Sequence, residues 1–126
     1  KMNAQAGIAV REGGDPVVRH CTFRDGKESG ILVCEHGRGM FEACDATGNA
    51  YAGIELREGG DPVVRGCTFA DGKNAGIYVH ENGRGTFEGC TVTGNARAGI
   101  EVVRPVTASA NAEAEFAIGA LLQMLR

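Results

Sequence analysis

The chain has 126 residues, a formal net charge of −3, a pI near 5.6, 43% hydrophobic and 6% aromatic residues, and no Trp. These values fit a single domain, argue against the basic face that a nucleic-acid partner needs, and leave no run near ~18 apolar residues to cross a membrane. Twenty glycines against three prolines predict many tight turns, and five cysteines without CxxC spacing argue against a zinc motif or a disulfide framework, so no metal or cofactor is expected.

Lys1-Met2-Asn3-Ala4 aligns with Thr47-Gly48-Asn49-Ala50, so the chain is expected to start partway through a repeating unit, with a neighbour before it. No basic stretch followed by an apolar one marks a signal peptide. In Gly7-Ile8-Ala9-Val10 apolar residues fall at every second position, which predicts a strand. Gly13-Gly14-Asp15-Pro16 predicts a turn. Val17-Val18-Arg19 and Cys21-Thr22-Phe23 predict two more short strands, and Asp25-Gly26 the next turn. The whole pattern then returns. REGGDPVVR at Arg11–Arg19 recurs letter for letter at Arg57–Arg65, a shift of 46, while the skeleton recurs at 23.

Five glycines (Gly7, Gly30, Gly53, Gly76, Gly99) share one register of that 23-residue period, and five isoleucines (Ile8, Ile31, Ile54, Ile77, Ile100) share the next. Val10, Val33, Leu56, Val79 and Val102 form a third column, and Cys21, Cys44, Cys67 and Cys90 another. Self-similarity at such a period means a solenoid. No unit carries a helical stripe, and the Leu and Asn columns of a leucine-rich repeat are absent. Three short strands per coil with inward β-branched and aromatic side chains describe an all-β, right-handed parallel β-helix of about five coils over residues 1–104. Equivalent positions then lie ~4.8 Å apart. Asp15, Arg38, Asp61 and Arg84 alternate in charge, as do Arg19, Glu42, Arg65 and Glu88. Opposite charges stack, and this predicts why the strict repeat is 46. Asn49 and Asn95, alternating with Gly26 and Gly72, are expected at turns with φ > 0.

The alternation of GGDPVVRxCxF with GRGxFExCxxxGNxxAGI resembles β-helix repeats of the pectin-lyase-like superfamily. More narrowly, it is similar to actinobacterial repeats found beside AAA-type ATPase or protein-kinase modules. The resemblance covers Asn3–Val103. It implies a ligand groove along the outer face of the Gly-Ile-x-Val strand, where Arg11, Cys34, Glu55, Arg57, Tyr78 and His80 are the candidate binding residues. The superfamily holds both polysaccharide-cleaving enzymes and non-catalytic modules. No Asp stands on this face, so no catalytic residue is assigned. A carbohydrate-active lyase or hydrolase is the alternative.

Glu12, Glu35, Glu58 and Glu81 form a column without alternation, a candidate ladder for a cation or a basic partner. The cysteine column predicts buried thiols and hence a reducing, cytoplasmic setting. Cys34 is expected on the outer face, accessible to reagents. After Val103 the pattern stops and Pro105 breaks the strand. Over residues 105–126 a linker is followed by an amphipathic helix, N-capped at Asn111, with a stripe of Ile118, Leu121, Leu122 and Leu125. It is expected to cap or dock on the last coil, or to open a following domain. The expected role is a recognition or scaffold module of a larger intracellular protein, binding a protein or saccharide along its long face and self-associating as a homodimer through its coil ends.

Overall fold

In a computed structural model, which describes residues 6–103, 116–117 and 124 with 123, the backbone winds into a parallel solenoid. The first coil carries β1 (Ile8–Val10), β2 (Val17–Arg19) and β3 (Thr22–Arg24); the second, β4 (Ile31–Val33), β5 (Met40–Glu42) and β6 (Asp45–Thr47). The third carries β7 (Ile54–Leu56), β8 (Val63–Arg65) and β9 (Thr68–Ala70); the fourth, β10 (Ala75–Val79), β11 (Gly85–Glu88) and β12 (Thr91–Thr93). Then come β13 (Ala98–Val102), β14 (Phe116–Ala117) and β15 (Gln123–Met124). They assemble as three parallel sheets, β1-β4-β7-β10-β13, β2-β5-β8-β11-β14 and β3-β6-β9-β12-β15. The expected coils thus appear as five rungs in the first sheet, with four full turns between β1 and β13.

The register is the 23-residue one. Ile8 pairs with Ile31, Ile31 with Ile54, Ile54 with Ile77 and Ile77 with Ile100. Ile31, Ile54 and Ile77 are fully buried, as are Phe41, Val64, Phe69, Phe87 and Val92. The core columns alternate in size. Val18, Phe41, Val64 and Phe87 stack in one, and Phe23, Ala46, Phe69 and Val92 in the other. Each of the four coils carries one phenylalanine in these columns and one smaller residue beside it. Each cross-section is filled to a similar volume, which close packing demands. The strict 46-residue repeat therefore reflects core volume as well as charge.

The turn expectation for Asn49 and Asn95 is corrected. Neither has positive φ; the left-handed residues of that turn are Asp25, Gly48, Asp71 and Gly94. Asn49 Oδ1 accepts from Gly26 N at 3.0 Å and its Nδ2 donates to Phe23 O at 2.9 Å. Asn95 repeats this with Gly72 N and Phe69 O. A Cβ on Gly72 would come within 3.1 Å of Asn95 Oδ1. The asparagine side chain occupies the space of its neighbour's missing one, so Asn and Gly must alternate.

The acidic column has a backbone cause that the sequence pattern hides. Glu12, Glu35, Glu58 and Glu81 all lie in the left-handed region, at φ 52, 52, 52 and 49. Gly and Asn adopt that region at lower cost than Glu. Glu58→Asn is expected to stabilise the fold by about 0.5–1 kcal/mol, read as a higher urea midpoint with an unchanged slope. The stripe Ile118, Leu121, Leu122 and Leu125 of the expected C-terminal helix lies outside the described residues.

Candidate functional site

The outward residues of the first sheet and of the turns beside it make one polar face. Strand pairing sets Glu55 beside Tyr78 and Tyr78 beside Glu101. Glu55 is buried at 6% exposure although it points away from the core. Its two oxygens are engaged separately. Ser29 Oγ donates to Oε1 at 3.1 Å, and His80 Nε2 lies 2.8 Å from Oε2. Arg57 Nη1 stands 3.7 Å from Oε2. A buried carboxylate needs such partners, since an unpaired one would cost several kcal/mol.

His80 stacks on Tyr78 at 4.4 Å and 18°, and Tyr51 meets Tyr78 edge-on at 5.8 Å. Its other ring nitrogen, Nδ1, faces Glu81 at 3.6 Å. The Glu55 contact thus fixes an imidazole whose stacking fixes a tyrosine. Burial raises the pKa of Tyr51, and Glu55 and Tyr78 add to it. Partial burial works against the charge on Arg57, but Glu55 and Glu58 more than offset that and raise its pKa. Tyr51, Glu55, Arg57 and His80 line a shallow groove of about 430 Å³ with Lys27, Glu28 and Ala50. A second depression of about 280 Å³ shares Glu28 and Arg57 with it and continues over Arg11, Ala9 and Leu32. The groove therefore runs along the solenoid axis. A larger depression of about 500 Å³, lined by His36, Arg38, Asp61, Asn82 and Arg84, lies at another edge and holds no Tyr or Phe.

The structure brings Glu55, Arg57, Tyr78 and His80 together. Arg11 lies two rungs from Arg57, 3.7 Å from Glu35. Cys34 is a correction: expected to be accessible, it is fully buried. It occupies the column between Arg11 and Arg57, and burial raises its pKa while both arginines work against that rise. Long side chains of the adjacent rungs cover it. The acidic ladder is split. Glu35 pairs with Arg11 and Glu81 lies 3.6 Å from His80 Nδ1, while Cys34, Glu35 and Glu58 place three possible ligand atoms within 4.8 Å of one another. With Arg11 and Arg57 alongside, the positive charge that a cation would bring is already supplied.

Sequence reasoning missed Tyr51 and Ser29. Tyr51 was findable, because the 23-residue period sets it in an outward column with Glu28 and Arg97. Ser29 was not, because its contact to Glu55 spans 26 residues and skips the register. All five cysteines are free thiols. Sγ of Cys44, Cys67 and Cys90 donates to the carbonyls of Val18, Phe41 and Val64, while Cys21 is exposed.

Three parallel sheets wound at a 23-residue period around one apolar column, with a polar groove outside, define a parallel β-solenoid. The family model described as the right-handed β-helix region matches residues 1–112, and the chain belongs to that family. No curated protein and no solved structure matches it.

Proposed function

We propose that this β-helix is a non-catalytic recognition module of a larger intracellular protein and that it binds a saccharide along the outer face of the first sheet. The observation that carries the reading is the Tyr51–Tyr78–His80 aromatic set, locked by buried Glu55 and bordered by Lys27, Glu28 and Arg57. A sugar ring has an apolar face for aromatic carbon and a rim of hydroxyls for charged and polar groups. A few placed polar groups around such a surface are what orient a ligand. Both oxygens of Glu55 are occupied, which leaves it poorly suited to general acid or base work.

Titration with neutral and uronate oligosaccharides, followed by NMR, tests this. Shifts are expected to concentrate at Tyr51, Tyr78 and His80, and Tyr78→Ala is expected to weaken binding about tenfold, the ~1–2 kcal/mol of one stacking contact. Silence across the panel at millimolar sugar overturns the saccharide reading. Pectate is expected to remain uncleaved with or without calcium, and cleavage abolished by Arg57→Ala would overturn the non-catalytic one.

A further inference from the structure

The second sheet turns a different face to solvent. Along β2 exposure alternates, with Asp15, Val17 and Arg19 exposed and Pro16 and Val18 partly covered. Val17 is 61% exposed. The next three rungs repeat this alternation, with Arg38, Met40 and Glu42 outward, then Asp61, Val63 and Arg65, then Arg84, Thr86 and Glu88. The pairing Val17–Met40–Val63–Thr86 keeps these residues in file. Each rung thus offers one charge, one central uncharged residue, and one opposite charge. The signs reverse from each rung to the next.

Stacking within the chain explains alternation down each charged column. Arg19 Nε meets Glu42 Oε1 at 2.7 Å and Arg65 Nε meets Glu88 Oε1 at 3.0 Å, and the hydrogen bond from Arg19 lowers the pKa of Glu42. Stacking does not explain the relative phase of the two columns. Either phase would give the same vertical contacts. Opposite phase across every rung is what a two-fold axis along the central column requires.

We propose that this face is a homodimer surface on which a second copy of the chain packs side by side, rung on matching rung. Rotation about the central column sets Asp15 against Arg19 of the other copy and Arg38 against its Glu42. Asp61 meets Arg65 and Arg84 meets Glu88 in the same way. Val17, Met40 and Val63 each meet themselves. The surface is isologous, as a two-fold contact must be, and charge complementarity rejects a slip by one rung, which would oppose like charges. Four rungs at ~4.8 Å by five residues at ~3.3 Å make only a few hundred Å² per copy. That is well under the ~800 Å² of a standard interface, so association is weak and salt-sensitive. This face is separate from the proposed saccharide groove and also from the coil ends.

Sedimentation equilibrium at up to millimolar protein and low salt tests the proposal. Wild type is expected to dimerise with a dissociation constant on the order of 0.1–1 mM, weakening at least fivefold in high salt. The variant Arg19→Glu, Glu42→Arg, Arg65→Glu, Glu88→Arg keeps alternation within the chain but reverses one column's phase. It is expected to melt near wild type and to remain monomeric. Adding Asp15→Arg, Arg38→Asp, Asp61→Arg and Arg84→Asp restores opposite phase and is expected to restore the dimer. A monomeric wild type, or a folded phase-reversed variant that associates like wild type, overturns the proposal.

Discussion

Raising the pH from 9 to 11 is expected to unfold this protein through its buried thiols. Burial pushes the Cys67 thiol up to about 12 and raises those of Cys90 and Cys34. Unfolded cysteines titrate near ~8.5. Below that value both states hold the proton and the thiols' contribution is fully present. Above it the unfolded chain loses protons that the folded chain retains. Stability then falls by ~1.4 kcal/mol per pH unit for each thiol until its folded value is reached. Three such groups act together, and Tyr51, also raised, adds in the same direction. A domain's total is only ~5–15 kcal/mol. Urea midpoints at pH 7, 9, 10 and 11 measure this. Cys67→Ala is expected to flatten the slope by one thiol. A midpoint that holds steady to pH 11 would mean that the thiols ionise inside the folded solenoid.

The glycine column sets the second large effect. A Cβ on Gly53 would lie 2.7 Å from Gly76 O and 3.0 Å from Phe69 Cβ, and its neighbours in the column are similarly crowded. The obstacle is backbone and core, neither of which can swing aside. Gly53→Ala is expected to cost about 2–3 kcal/mol, a melting temperature lower by roughly 10–20 °C. Gly66→Ala is the control. Nothing lies within 4 Å of that Cβ, and Ala43, one rung away, already adopts φ 54. It is expected to lose about 1 kcal/mol or less. Equal losses at the two positions would show that backbone entropy, not the approach between coils, sets the cost.

Much of this architecture is legible in the sequence for one physical reason. In a parallel, in-register solenoid, residues 23 apart become neighbours ~4.8 Å apart, so a column on the page is a column in space. That correspondence predicts the isoleucine and glycine files, the buried Cys44, Cys67 and Cys90, the Arg19–Glu42 and Arg65–Glu88 contacts, and the outward grouping of Glu55, Arg57, Tyr78 and His80.

What the register does not carry had to wait for the tertiary structure. Ser29 reaches Glu55 across 26 residues, so the contact that buries this carboxylate follows from how the chain enters the strand. Cys34 has an outward position yet no exposure, because the reach of arginine side chains decides its cover. The four glutamates look like a ligand ladder, but they sit at a left-handed turn position whose φ no spacing rule reveals. The sequence by itself determined which residues share a file and which face each file takes, since both follow from a fixed period. Only the tertiary structure decided which side chains touch between files, because that depends on side-chain length, rotamer and the volume left by the neighbouring coil.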